Sequence, residues 1–162
     1  MRIGEFLSES ARLHGDKTAL VAGGRRLTYR EFNEMSDRLA AALAAGGIRR
    51  GDRVLVFMNN CWEAAVSLFA IAKAGAVTVP VNPSTKADKL AYVIGNCEAA
   101  GLLVQGKLMP VVEEARALEP RHLFIAATAF RGIVLADDVA AFEACLDQPP
   151  ERIADGGIDV DL

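Results

Sequence analysis

Short apolar runs alternate with stretches of helical spacing along most of this chain, and no other feature restricts its fold so strongly. Residues 54–57, 77–81, 101–104 and 122–126 are each a short run rich in Val, Ile, Leu or Ala. Helical patterns fall between and after them, at 61–74, from Ser84 or Thr85 to about Asn96, at 109–117 and at 138–146. Strands of this length joined by helices need right-handed crossovers, so the chain is predicted to be α/β: a mainly parallel sheet with helices on both faces. In such a sheet ligands gather beyond the carboxyl ends of the strands. The loops at 58–60 and 82–86 are thereby marked.

The first part of the chain is organised differently. Ile3, Phe6, Leu7 and Leu13 among charged residues predict a short amphipathic helix over 3–14. Gly23-Gly24 between two short runs is the turn signal of a β-hairpin. Thr28-Tyr29-Arg30-Glu31 is a capping box, and Phe32, Met35, Leu39 and Leu43 continue it as one helical stripe that Gly46-Gly47 ends. The helix at 61–74 has Trp62, Val66, Leu68, Phe69 and Ile71 on all sides. A helix apolar all round is covered all round, which predicts further protein over it and, in its absence, an apolar face available for self-association.

Charge and composition exclude several classes. Eighteen basic and twenty-one acidic residues give a net charge of −3, without the basic surplus that nucleic-acid binding requires. The stretch 61–72 still carries Glu63 and is too short for a bilayer span. Glu5 stands where a signal peptide would be apolar. Cys61, Cys97 and Cys145 are widely spaced and odd in number, which predicts reduced thiols in the cytoplasm. The 162 residues suit a single unit: a helix, hairpin and capped helix over 1–47, alternating strands and helices over 48–130, and a tail at 148–162.

The residues offer little catalytic chemistry. His14 and His122 have no Cys, Asp or Glu at ligand spacing, so no metal site is predicted. Cys61 on an apolar helix reads as a small buried hydrophobe rather than a nucleophile. Gly15-Asp16-Lys17-Thr18 lacks the first glycine and the following apolar helix of a phosphate loop, and no G-x-G-x-x-G occurs. No residue is predicted to be catalytic.

Four segments, LTYREFNE at 27–34, GDRVLVFMNN at 51–60, AIAKAGAVTVPVNP at 70–83 and KLAYVIGN at 89–96, occur in an informative order. Together they resemble the start of AMP-forming acid–CoA ligases of the adenylate-forming superfamily. The resemblance implies the layered α/β N-terminal subdomain of such an enzyme, with architectural roles for Thr28, Gly75, Pro80 and Pro83. It also implies a parent that uses ATP, Mg and CoA to turn a carboxylic acid into an acyl-adenylate and then a thioester. The family's Ser/Thr/Gly-rich ATP loop, its ribose-binding acid and its adenylation lysine are not in this sequence, so the chain by itself is expected to be inactive and to hold no cofactor. Residues 154–162, ADGGIDVDL, resemble the acidic approach to that missing loop, which suggests a truncated product or isolated subdomain whose partner is the remainder of the ligase.

The resemblance also gives the marked loops a role. Lys86 and Lys89, at a strand exit and a helix start, could attract a CoA phosphate, and Asn59 and Asn82 could form part of a pocket wall. Ser84 stands where the family often has Arg, and Lys89 where it often has Glu. Two other readings are kept: an amino-acid-activating domain, which more typically has an Asp and a Tyr-Pro element where this chain has Val81 to Thr85, and a stand-alone α/β interaction module.

Overall fold

A computed structural model describes residues 3–147 and Pro149. Helix α1 (Ile3–His14) leads into a hairpin of β1 (Thr18–Ala22) and β2 (Arg25–Thr28), and helix α2 (Tyr29–Ala45) follows. The hairpin turn puts Gly23 at φ 58° and Gly24 at φ 79°, the two positive angles that a tight two-residue turn requires. At the start of α2 the capping box is complete: the Glu31 N–H donates to Thr28 Oγ1 at 3.2 Å, and the Thr28 N–H donates to Glu31 Oε2 at 2.8 Å.

Alternation then begins, through β3 (Arg53–Phe57), α3 (Trp62–Lys73), β4 (Val77–Pro80), α4 (Ala87–Asn96), β5 (Gly101–Val104), a 3-10 turn at Gly106–Leu108, α5 (Met109–Leu118), β6 (Phe124–Ala127), β7 (Val139–Ala141) and α6 (Phe142–Leu146). The sheet order is β4-β3-β5-β6-β7 and every pairing is parallel. Side chains alternate across it. Val54, Val56, Leu103 and Ala126 join α2, α3 and α6 in one core, while Leu55, Phe57, Leu102, Val104, Ile125 and Ala127 join α4 and α5 in the other. Helices therefore cover both faces, as the apolar runs predict.

Three features differ from the sequence reading. Residues 139–141 are a strand rather than the first turn of a helix spanning 138–146, so the alternation runs beyond residue 130. The open edge of β6 supplies a ladder for Val139–Ala141, and Val139 is buried in the second core. Helix α4 is not capped by Ser84 or Thr85. Its N-cap residue is Lys86, which makes no side-chain cap bond, because the Asn82 carboxamide has already taken Ser84 into a turn of its own. Helix α3 is covered by α1 and α2 on one side and by the sheet on the other, so the chain itself supplies the cover that its composition demands, and Leu68 is its one exposed large apolar residue. The tail at 148–162, apart from Pro149, lies outside the described residues. Among the described residues no helix is long and apolar enough to cross a membrane.

Candidate functional site

Successive strands are added in opposite directions from β3: β4 lies on one side and β5 on the other. The crossover helices diverge there, and in such a sheet a ligand crevice is expected beyond the carboxyl ends of β3 and β5. Asn59 follows β3 and Gln105 follows β5. The Asn59 Nδ2–H donates to Gln105 Oε1 at 2.7 Å, and the Asn59 backbone N–H reaches the same oxygen at 3.3 Å. One strand along, the Gly106 N–H donates to Thr128 Oγ1 at 3.0 Å. A Cβ on Gly106 would lie 2.1 Å from the Thr128 carbonyl oxygen, so the backbone after β5 sits directly on the loop after β6. The floor of the site is thus tied from β3 to β6 by side chains that leave the strand ends.

The loop after β4 borders this floor, because the Val81 N–H donates to the Val56 carbonyl at 3.0 Å and carries the β3–β4 pairing past Pro80. Asn82 Oδ1 accepts the Ser84 N–H at 2.9 Å and the Ser84 hydroxyl at 2.8 Å, an Asx turn that aims the chain into α4. Lys86, the N-cap residue, and Lys89, in the first turn of α4, are both exposed. Neither ammonium has a hydrogen bond or ion pair among the described residues, and Asp88 pairs with neither. Lys107, on the 3-10 turn after β5, is exposed at the same end of the sheet.

Of the residues expected from sequence, Asn59 and Asn82 lie on adjacent loops, the Asn59 carboxamide engaged with the Gln105 side chain and the Asn82 carboxamide with the Ser84 backbone. Gln105, Thr128 and Lys107 belong to the same edge and were not anticipated. Gln105 has the signal that marked Asn59, a polar residue immediately after a short apolar run.

Farther along this edge, a cleft of about 490 Å³ is lined by Ala129, Phe130, Arg131, Ile133, Leu135, Ala141 and Glu143. Glu143 Oε1 closes one end by accepting the Ala129 N–H at 3.0 Å. Cys61, at the N-cap of α3, is no ready nucleophile, since burial pushes its thiol pKa up. Among the described residues no three His, Cys, Asp or Glu side chains come together as metal ligands. The edge is therefore a polar floor tied by side-chain hydrogen bonds, with the exposed ammonium groups of Lys86, Lys89 and Lys107 at the same end of the sheet.

Comparison with known proteins decides the family: the description "AMP-binding enzyme" matches residues 7–154. The chain belongs to this family. Phosphinothricin tripeptide synthetase PhsC of Streptomyces viridochromogenes is 38% identical over 146 residues, covering 90% of this chain and 12% of that protein. Crotonobetaine/carnitine–CoA ligase of Escherichia coli is 30% identical over 157 residues, covering 92% of this chain and 30% of the ligase. Among solved structures, anthranilate CoA ligase AuaEII, in complex with anthranoyl-AMP, superposes with a TM-score of 0.84 at 25% identity, covering 93% of this chain and 29% of that one. The chain spans less than a third of each of these proteins, and its architecture is that of the N-terminal subdomain of adenylate-forming enzymes.

Proposed function

We propose that the chain is a single N-terminal scaffold subdomain, residues 1–162, of an ATP-dependent acid–CoA ligase acting in the cytoplasm. The parent would form an acyl-adenylate and pyrophosphate from ATP and a carboxylic acid, and CoA would then displace AMP to give a thioester. The observation that carries this reading is the fit over 93% of the chain to an aryl-CoA ligase. The loop after β4 supports it, since Val81 to Thr85 lacks the Asp and Tyr-Pro element of amino-acid-activating domains. Three free thiols, Cys61, Cys97 and Cys145, suit a reducing compartment.

Within that reading Lys86 and Lys89 supply positive charge for a CoA phosphate, with Lys107 across the crevice, while Asn59 and Asn82 form part of the wall. The residues present do not fit ATP with Mg. The described residues bring no carboxylate group together for a metal and the sequence has no Ser/Thr/Gly-rich loop, so no step of adenylation is assigned to this chain. Its partner is the rest of the ligase. The 38% identity to a peptide synthetase favours a second reading, an amino-acid-activating parent. A stand-alone module that self-associates through α3 has less support, because α1 and α2 occupy that face.

The test measures AMP and pyrophosphate release with ATP, Mg, CoA and panels of carboxylic and amino acids, for the 162-residue chain and for a longer protein in which it is joined to the remainder of a ligase. We expect no turnover from the chain alone and CoA-dependent AMP release from the longer protein with a carboxylic acid. Turnover by the isolated chain, or amino-acid-dependent pyrophosphate exchange without thioester formation, would overturn the proposal.

A further inference from the structure

Helix α1 lies over Lys73. A Cβ on Gly4 would come within 2.9 Å of Lys73 Cγ, so the helix backbone rests on the stem of the lysine, whose side chain is 9% exposed. The apolar hold on α1 is small. Leu7 is its buried side chain, while Ile3, Phe6 and Leu13 are exposed. A polar tie runs from Ser8 Oγ to Asn33 Oδ1 at 3.0 Å. A helix of 12 residues is marginal by itself in water, so α1 owes its helicity to this docking.

The charged group beneath α1 is satisfied from elsewhere. Lys73 Nζ donates to Asp37 Oδ1 at 2.6 Å, to Asn33 Oδ1 at 2.8 Å and to the Asn33 carbonyl at 3.3 Å, all on α2. Lifting α1 leaves that ammonium paired and avoids the cost of an uncompensated charge. Immediately beyond α1 the chain is pinned, because the Arg30 N–H donates to the Gly15 carbonyl at 3.0 Å and the Tyr29 N–H to the Lys17 carbonyl at 2.9 Å. The junction at Gly15 is the natural pivot.

We propose that α1 is a lid over Lys73 that opens as a unit about Gly15 while α2, α3 and the five-stranded sheet stay folded. Opening bares the lysine amine to solvent while α2 stays in place, and an N-hydroxysuccinimidyl ester then acylates the fraction that has given its proton to water, releasing N-hydroxysuccinimide. This inference does not rest on the enzymatic reading.

Amide hydrogen exchange of the 162-residue chain across low urea concentrations tests it, together with the rate at which N-hydroxysuccinimidyl acetate modifies Lys73. The α1 amides should exchange roughly 100-fold faster than the buried amides of α2 and α3, with a urea slope that is measurable but smaller than theirs, the mark of sub-global opening. Leu7→Ala should accelerate α1 exchange and Lys73 acetylation together, by about tenfold or more. Exchange of α1 at the rate and urea slope of α2 and α3 would overturn the proposal, as would Lys73 acetylation that does not follow α1 exchange. The unsubstituted chain alone yields the first of these outcomes, so an unfolded variant leaves the test intact.

Discussion

Asn59 and Gln105 lie far apart in sequence, yet a 2.7 Å hydrogen bond joins their carboxamides where the sheet reverses its order of growth. The bond fixes the exit directions of β3 and β5 and so sets the width of the crevice between them. Gln105→Leu removes the acceptor for the Asn59 side chain and backbone N–H, both half-buried, and should cost about 1–2 kcal/mol. Gln105→Glu retains an acceptor oxygen and should cost less. Urea denaturation of the two variants checks the order.

The pair formed by Lys73 and Asp37 should respond asymmetrically. Lys73 is 9% exposed and Asp37 38% exposed, so losing Asp37 strands a desolvated ammonium, whereas losing Lys73 leaves a carboxylate that water can reach. Asp37→Ala should destabilise by about 2–3 kcal/mol, softened by the Asn33 contacts, and Lys73→Met by about 1 kcal/mol or less. Burial holds the Lys73 pKa below its ordinary value of 10.5. The unfolded chain then binds more protons just below 10.5, and this group's contribution to stability should rise with pH through that window. Thermal unfolding between pH 8 and 10.5, with and without Lys73→Met, reads the difference.

Glu31 carries an acid-dependent part of the stability. The Thr28 backbone N–H and hydroxyl hold its carboxyl below the ordinary value of 4.5. A depressed folded pKa means that the contribution is present above about pH 4.5 and is lost as pH falls through the lower folded value. Thr28→Ala should cost about 1 kcal/mol at pH 7. The gap between Thr28→Ala and the parent chain should narrow below pH 4 in denaturation curves.

Glu98 is a non-glycine residue in the left-handed region, at φ 49°, where it ends α4. The Ala99 N–H donates to the Ile94 carbonyl at 3.0 Å and the Glu98 N–H to the Gly95 carbonyl at 3.1 Å, closing a helix terminus that glycine would form without strain. The Arg53 guanidinium holds the Glu98 carbonyl at 2.9 Å as well as its carboxylate at 3.2 Å, so the backbone contact outlasts the side chain. Glu98→Gly should be neutral or stabilising by up to about 1 kcal/mol. Gly75→Ala, at φ 72°, should destabilise by about 1 kcal/mol. Melting temperatures of the two variants should move accordingly.

The expected anion-binding edge can be tested on the chain itself. Lys86→Glu and Lys89→Glu together should weaken binding of 3′-phospho-AMP about tenfold or more in a titration followed by NMR shifts, and the weakening should shrink in high salt. Equal affinity for the double variant would remove these lysines from the site.

Much of this architecture is legible in local sequence because each signal acts over a few residues. The capping box at Thr28 and Glu31, the Gly23-Gly24 turn and the apolar runs of β3 and β5 each depend on neighbours in the chain. Strand β7 could not be read this way. Val139-Ala140-Ala141 has no strong strand propensity and becomes a strand because β6 offers an open ladder beside it. The lysines of α4 were visible as charges, but their lack of partners could be known only once Asp88 was placed.

The sequence by itself determined the alternation of strands and helices, the caps, the family and the absence of adenylation motifs, since these follow from periodicity and residue type. Tertiary structure decided which distant polar groups meet: Asn59 with Gln105, Gly106 with Thr128, and Lys73 with Asp37 beneath α1. Hydrogen bonds act over about 3 Å, a distance that strand order and helix packing set and local sequence does not.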